Sequence, residues 1–478
     1  MSNMSPSPPN KPPKGALMLF ALIRKEVINN VLSFRFIVTL VLFFGLILVS
    51  ILFLTSDHQI RLRTHEASKA VHRDQILSFE GAEDQDEQFR DILLGVGVYG
   101  DRAPQPLGIF VQGLDGNLPT QVNANLTDSR QIDENFYRNP MFSLFTTPDY
   151  GYIVNIIVSL LSLLFVFDSI CGEKERGTLK LLLANSIPRD LVLLSKWIGG
   201  YLSLTVPFLV ALLAGITYVH ITATIQLSGE TLDRLLWIIL VSLLYVSLFF
   251  TLGMMISALT HKTSTALLVS LFVWICWILV IPNLAPVIAK ISAPVPTIQK
   301  IEAEKGAVDR ETEIRLQRVS RQMLSYGKKA EDVREKIVQE GNNRKRKLDQ
   351  FYQDKLTAQI ELSKNLSRIS PSASFIYTTT DLAHTGVALF AGFKRGYERF
   401  EDEFNTWGHE WDDAYRENGN KHPDENWLQA DAIPGFKMNH QRLDDSLDAA
   451  LMDILLLLVF NVLFFMLSYL FFLRYDVT

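Results

Sequence analysis

Residues 168–196 read DSICGEKERGTLKLLLANSIPRDLVLLSK and connect two apolar runs that are each long enough to cross a bilayer. The charged cluster 173–176 follows the first run, and Gly177 then interrupts the chain. The leucine-rich stretch 178–184 is predicted to be a short helix, and a turn is predicted at 186–188. A short helix that exposes leucines can dock in the groove of a partner and pass rigid-body motion to the two spans it joins. This stretch therefore predicts a membrane protein that is moved by a partner.

The apolar residues are concentrated in six runs, although they make up only 48% of the chain. A hydrocarbon core of about 30 Å requires roughly 17 to 25 helical residues, which is close to the length of each run. A soluble protein is excluded, because no soluble core requires six such helices. The sequence predicts an α-helical integral membrane protein with six transmembrane helices, at Phe36–Leu54, Tyr150–Phe167, Trp197–Val219, Leu235–Ile256, Ala266–Ile281 and Ala449–Leu473.

Lysine and arginine near the ends of these spans set the orientation, because cytoplasmic loops carry an excess of both. With both termini inside, all the cations that flank the spans fall in the cytoplasm, and the two long polar segments fall outside. The predicted location is the bacterial cytoplasmic (inner) membrane. The flanking cations are Lys11, Lys14, Arg24, Lys25, Lys174, Arg176, Lys180, Arg189, Lys196, Lys262 and Arg474.

The resulting topology divides the chain into segments with defined boundaries. The predicted spans are 35–55, 150–168, 197–220, 234–257, 265–288 (with a re-entrant end after the proline at 282) and 449–473. On the cytoplasmic side are a disordered tail, 1–16, an interfacial helix, 17–34, the loop 169–196, the turn 258–264 and the tail 474–478. Outside are 56–149, 221–233 and 289–448.

The stretch 17–32 carries apolar residues at helical spacing, with Arg24, Lys25 and Glu26 grouped on the other side. This pattern is typical of an amphipathic helix that lies in the membrane interface and contacts lipid. A plain extension of the first span is the alternative.

The loop resembles the type-2 ATP-binding-cassette permeases, whose second span is followed by Gly-Glu-x-Glu-x-Gly-Thr-Leu and later by Pro-x-Arg and a lysine. The resemblance implies that the loop and the interfacial helix contact a separate ATPase subunit, which binds ATP and Mg, and that two permeases, identical or paralogous, assemble with two ATPases. The chain has no Gly-x-x-x-x-Gly-Lys-Ser/Thr phosphate loop, so we expect no enzyme activity from it. The implied coupling residues are Gly172, Glu173, Lys174, Glu175, Arg176, Gly177, Thr178, Leu179, Pro188, Arg189 and Lys196.

The outside segments are larger than in the simplest members, and 106–116 (PLGIFVQGLDG) resembles a subgroup with enlarged external loops. We expect a mostly helical α(+β) portion: a helix over 68–79, a β-favouring piece at 109–112, and a helical hairpin that turns near Gly341. These segments could bind an extracytoplasmic protein.

The sequence gives no support for a disulfide, a metal site, nucleic-acid binding or transport driven by an ion gradient. Cys171 and Cys276 lie in or beside apolar runs, so no disulfide is expected. The His and carboxylate residues of 409–422 match no metal-ligand spacing, and a net charge of −5 gives no reason to expect nucleic acid. Charges are nearly absent from the spans, which favours an external energy source over an ion gradient. Asn155 and Asn461 are interpreted as interhelical hydrogen-bonding groups, and Asp453 as interfacial.

Two functions remain open at this point, because the sequence names no substrate. The first is an export permease that forms the translocation pathway. The second is a mechanical transmitter, in which the same ATPase cycle moves the external segments against an extracytoplasmic partner. A membrane-bound enzyme or sensor without an ATPase would leave the loop unexplained.

Overall fold

The computed structural model describes residues 14–80, 92–125, 140–142, 148–184, 188–222, 225, 227, 229–322, 329–417, 432–439 and 441–474. Residues 1–13 and 475–478 of the predicted tails, and residues 186 and 187 of the predicted turn, lie outside this part of the chain. Among the described residues, six helices are long and apolar enough to cross a membrane, which confirms the predicted fold class. These candidate spans are Phe34–Ser78, Tyr150–Glu175, Arg189–Ile221, Glu230–Leu259, Thr263–Ser292 and Leu443–Leu473.

The chain forms two compact units. The membrane unit consists of Met1–Ile132, Ser143–Leu279 and Pro371–Thr478, and the hairpin unit consists of Asp133–Phe142 and Val280–Ser370. Each unit is described separately below.

The membrane unit begins with helix α1 (Lys14–Val31) and the long helix α2 (Phe34–Glu80). At 1.5 Å per residue, α2 is about 70 Å long, more than twice the thickness of a hydrocarbon core. The helix predicted at 68–79 is the far end of this same helix. No glycine or proline occurs between residues 56 and 80, so nothing in the sequence breaks the helix where it leaves the apolar run.

The polar half of α2 packs against a small strand module, residues 92–125. Its strands β1 (Val98–Asp101) and β2 (Gln121–Ala124) are antiparallel, with Val98 opposite Ala124. The strand predicted at 109–112 is wrong, because Ile109 ends a 3₁₀ turn, Pro106–Ile109, and the amides of Phe110 and Val111 both donate to Leu107 O. Ile109, Phe110 and Val111 are apolar because they are buried, and no strand in the described part of the chain pairs with them.

The remaining helices of the membrane unit follow in chain order. The second span, α3, contains a π-helical segment, Ile153–Val158, between Tyr150–Tyr152 and Ser159–Val166. The others are α4 (Cys171–Glu175), α5 (Thr178–Ala184), α6 (Arg189–Ile221), α7 (Glu230–Leu259), α8 (Thr263–Ile275, continued by the π-helical Cys276–Val280), α12 (Pro371–Leu382), α13 (Val387–Glu417) and α14 (Leu443–Leu473).

The two ends of the membrane unit are distinguished by contacts of α2. At one end, called the loop end, Arg35 forms a two-pronged ion pair with Asp168, with N–O distances of 2.8 and 2.9 Å. At the other, called the module end, Arg61 Nη1 lies 3.1 Å from Asp115 Oδ2. The two arginines are about 40 Å apart along the helix.

Helix α12 corrects the prediction that the whole of 289–448 lies outside. All of its residues are buried, and Phe375 stacks on Tyr245 of α7 with ring centroids 4.3 Å apart. Arg234, near the module end of α7, donates to Leu382 O at 2.9 Å. Phe375 and Leu382 are seven residues apart, so α12 extends at least about 10 Å in among the spans. Its many Ser and Thr residues give no hydropathy signal, although Thr379 and Thr380 bond to their own helix.

The hairpin unit contains α9 (Ile281–Ser292), α10 (Ile298–Gln322) and α11 (Lys329–Ser367). Helical geometry continues through the prolines at 282 and 286, where the sequence predicted a re-entrant end. Helices α10 and α11 are antiparallel, since Arg315 lies 3.3 Å from Glu340 and Lys345 lies 2.8 Å from Asp309.

The predicted hairpin is therefore present, but its predicted turn is wrong. Gly341 lies inside α11, and a Cβ there would stand 2.6 Å from Thr312 Oγ1. The glycine permits close packing of α10 on α11. The residues that connect the two helices, 323–328, are outside the described chain.

Candidate functional site

The candidate site is the loop between α3 and α6, where helices α4 and α5 meet at Gly177. This glycine has φ +72°, a left-handed conformation that strongly favours glycine, and it ends α4 so that α5 can start in a new direction. On α5, Leu179 is fully buried and anchors the helix, whereas Leu181 is 71% exposed. Helix α5 is thus fixed on one side and presents an apolar side chain on the other.

Lys196 forms the centre of a buried ion cluster at the loop end. Its side chain is 5% exposed, and its ammonium lies 2.7 Å from Glu173 Oε1 and 3.4 Å from Glu26 Oε1. The cluster joins α4, α6 and α1. Close packing surrounds it, because a Cβ on Gly199 would lie 2.8 Å from the Cβ of Glu26. Three residues predicted to face an ATPase therefore face one another.

Lys174 and Glu175 tie the loop to the turn between α7 and α8. The ammonium of Lys174 donates to Ala258 O and to Thr260 O, the latter at 3.2 Å. The carboxylate of Glu175 accepts from the backbone N–H and the hydroxyl of Thr263 at 3.0 and 2.9 Å, which caps the start of α8. These two residues hold the ends of spans four and five.

The other predicted loop residues have local roles. Arg176 Nε donates to Gly172 O at 3.0 Å, and Thr178 Oγ1 donates to Glu173 O at 3.4 Å. Pro188 precedes the first residue of α6, and Arg189 Nη1 donates to Leu473 O at 2.9 Å, near the end of the last span. The loop is therefore bonded to the ends of several spans.

The predicted grouping of Arg24, Lys25 and Glu26 on one polar side of α1 is wrong. Glu26 points toward α6, whereas Arg24 and Lys25 are exposed on the same side as the apolar Phe20 and Ile28. Sequence reasoning also missed two loop-end partners. One is the Arg35–Asp168 pair, which the positions of these charges at the ends of spans one and two could have indicated. The other is Ser257, whose hydroxyl accepts from the amides of residues 170 and 171 at 3.0 Å, and no sequence signal marks it.

The family described as ABC-2 family transporter protein matches residues 20–477. The chain belongs to this family. The predicted resemblance to the ATP-binding-cassette permeases is thereby confirmed.

One relative of this ABC-2 transporter is the probable ABC transporter permease protein NosY of Stutzerimonas stutzeri, which is 30% identical over 139 residues. The matched region covers 28% of this chain and 49% of NosY, so the chain spans about half the length of that relative.

Away from the loop, a polar cluster joins three helices of the ABC-2 transporter among the spans. Asn155 Oδ1, in the π-helical segment of α3, accepts from the hydroxyls of Tyr245 and Ser372 at 2.6 and 2.8 Å. Asn461 donates to Ser247 Oγ at 2.9 Å. Both asparagines make the interhelical hydrogen bonds predicted for them. Asp453, predicted to be interfacial, is fully buried.

At the module end, Asp149 connects the strand module to the start of α3. Its carboxylate accepts from the amide of Tyr152 at 2.7 Å and from the amide of Gln112 at 2.7 Å. Burial raises the pKa of this carboxyl to about 6. Among the described residues, no group of three or more His, Cys, Asp or Glu side chains could hold a metal ion. His422, one of the residues compared above with metal-ligand spacing, lies outside the described residues.

Proposed function

We propose that this ABC-2 transporter is the permease subunit of an exporter and forms the translocation pathway for a substrate yet to be identified. A separate ATPase subunit binds ATP and Mg and supplies the energy, and two permeases assemble with two ATPases. The loop end faces the cytoplasm of a bacterial inner membrane, with both termini on that side. The observation that carries the proposal is helix α5, anchored by Leu179 and exposing Leu181.

The bonding of the loop supports a coupling role. A push on α5 reaches α4 through the Gly177 turn, and α4 is bonded to α6, to α1 and to the α7–α8 turn. Motion of a docked ATPase would therefore reach several spans together. The charged residues distribute this motion inside the permease, and the ATPase contact itself is made by the exposed side of α5.

The test is the substitution Leu181→Asp. Burying a leucine in a partner groove contributes about 1.5–3 kcal/mol, so its loss weakens docking by roughly ten- to a hundredfold. We expect weaker co-purification of the ATPase and loss of stimulated ATP hydrolysis, with unchanged melting of the permease. Ile314→Asp, at an exposed position on α10, is the matched control. Full ATPase binding by Leu181→Asp would overturn the proposal.

The mechanical transmitter is a second candidate, favoured by the attachment of the strand module to two spans. Asp115 of the module pairs with Arg61 of α2, and Gln112 donates to Asp149 at the start of α3. Movement of these spans would carry the module with it and could act on an extracytoplasmic protein.

Reconstitution of the complex with ATP separates the two functions. An exporter accumulates a lipid or peptide in the lumen of proteoliposomes, and Leu181→Asp abolishes this accumulation. A transmitter accumulates nothing, and instead an extracytoplasmic protein co-purifies and is released or bound according to the nucleotide state.

A further inference from the structure

One face of α1 is exposed and mixes large apolar side chains with two cations. Leu17, Phe20, Arg24 and Ile28 recur at intervals of three and four residues, and Lys25 lies beside Arg24, so all five share a face. Phe20 is 68% exposed and Leu17 57%. A face of this composition in contact with water alone would be unfavourable, which indicates that something covers it.

The opposite face of α1 is already occupied. Glu26 bonds to Lys196, and Gly199 of α6 approaches both the Cβ of Glu26 and the carbonyl of Ile23 closely. Helix α1 therefore cannot rotate its apolar side chains into the protein without breaking the buried ion cluster.

The two cations differ from four other basic residues at the loop end. Lys174, Arg176, Arg189 and Lys196 each bond to a carboxylate or carbonyl of the chain. Neither Arg24 nor Lys25 makes an ion pair with any residue in the described part of the chain. Their charges are available to an anion from outside the protein.

The apolar part of the face continues onto the first span. Val31 is exposed at the end of α1, and Phe34 and Ile37 are exposed at the beginning of α2, on an apolar helix that faces hydrocarbon. A ligand that contacts both surfaces must have an apolar part beside Phe34 and an anionic part beside Arg24. A phospholipid has this shape, whereas an ATPase surface would have to enter the lipid phase to cover Phe34.

We propose that Arg24 and Lys25 bind the headgroup of an anionic phospholipid whose chains lie along α1 and the start of α2. The bound lipid holds α1 against α6 and so supports the ion cluster of Lys196. Coupling between the ATPase and the spans therefore depends on anionic lipid, and this consequence rests on the proposed permease function. Zwitterionic lipid carries no net charge and would be bound more weakly.

The test uses the purified full-length protein in nanodiscs of phosphatidylcholine alone or of equal parts phosphatidylcholine and phosphatidylglycerol. Retention of phosphatidylglycerol is measured by native mass spectrometry, and ATP hydrolysis is measured with the ATPase subunit added. Arg24→Gln with Lys25→Gln should weaken retention about 25-fold, since each near-surface cation contributes about fivefold. Stimulated hydrolysis should lose its dependence on phosphatidylglycerol.

Two further variants complete the design. Arg24→Lys with Lys25→Arg keeps both charges and should restore retention. Arg318→Gln with Arg321→Gln, two exposed cations of α10, should have no effect. Unchanged retention in the Arg24→Gln, Lys25→Gln protein would overturn the proposal. Loss of ATPase binding with unchanged lipid retention would also overturn it, and would assign the face to the ATPase. If no ATPase associates even with the wild-type protein but retention depends on both cations, the permease function fails and the lipid site stands.

Discussion

A charged cluster is buried at each end of the membrane unit, and the two clusters are built differently. At the module end, Arg102 bonds Asp115 Oδ1 at 2.5 Å and reaches the carbonyls of Asp115, Leu118 and Pro119 at 2.9 to 3.4 Å. All these partners lie within one short segment. At the loop end, the Lys196 ammonium bonds two carboxylates that come from distant parts of the chain, and Glu173 Oε2 has no hydrogen-bond partner among the described residues.

This contrast indicates which part of the molecule is rigid and which can adjust. A guanidinium is planar and holds several acceptors in a fixed fork, whereas an ammonium on a flexible stem can keep a bond while its partners shift. We therefore expect the strand module to move as one body. We expect the loop end to act as a joint, where α1, α4 and α6 change their relative positions while the ion cluster is kept.

The largest expected effect is at Arg102. Arg102→Met leaves Asp115 buried without its main partner, which costs about 3–5 kcal/mol. Arg102→Lys should cost nearly as much, because an ammonium cannot reach the same set of acceptors. Limited proteolysis between residues 92 and 125 measures the unfolding of the module. If the strand module stays protease-resistant in the Arg102→Lys protein, the planar guanidinium of Arg102 is not the cause of its rigidity.

The next largest effect is at Lys196. Lys196→Met leaves Glu173 and Glu26 facing each other, and we expect a loss of about 2–3 kcal/mol, less than at Arg102 because both carboxylates keep some exposure to solvent. Melting can be followed by dye labelling of Cys171, which is a buried free thiol. Lys180→Met, at an exposed position, is the control.

A further variant sharpens the Lys196 result. Adding Glu173→Gln to Lys196→Met removes one of the two uncompensated charges, so part of the stability should return. If the double variant melts below the single variant, the cluster is held by packing rather than by charge.

A smaller effect is expected from Gly199→Ala. The added methyl would lie 2.8 Å from the Cβ of Glu26 and 3.2 Å from Ile23 O, so α1 must shift, at a cost of about 1–2 kcal/mol. If the loop end is an adjustable joint, ATPase binding should survive while stimulated hydrolysis falls. Gly392→Ala is the control, because nothing lies within 4 Å of its added Cβ and alanine favours the helix. Equal effects of both substitutions would contradict close packing at Gly199.

Hydropathy predicted the spans because the requirement to cross a bilayer acts on each helix separately. It could not reveal α12, which is buried by its neighbours and not by its own apolarity. The loop motif located Glu173 and Lys196, but a motif does not show which way a side chain faces, and the structure adds that the two form an ion pair with each other. The sequence predicts a turn near Gly341, but a glycine is equally compatible with a turn and with close packing of two helices. Only the partner, Thr312, distinguishes the two uses.

The smallest effect at neutral pH is expected for Asp149→Asn, at the junction of the module and α3. The amide keeps one acceptor for the two backbone N–H donors and removes a buried negative charge, so the gain and the loss nearly cancel, within about 1 kcal/mol.

The pH dependence of stability distinguishes the two proteins more clearly. Burial raises the pKa of Asp149 from 3.8 to about 6, so the folded state holds the proton more tightly than the unfolded chain. Stability of the wild-type protein should therefore rise as the pH falls through 6, relative to the Asn variant, and the rise should end near 3.8. Melting of both proteins across this range, followed by circular dichroism, gives the difference directly. A difference that stays constant from pH 7 to pH 4 would mean that the carboxyl remains ionised in the folded state. The two N–H bonds would then outweigh its burial, and the junction would be held by charge, like the Arg102 cluster.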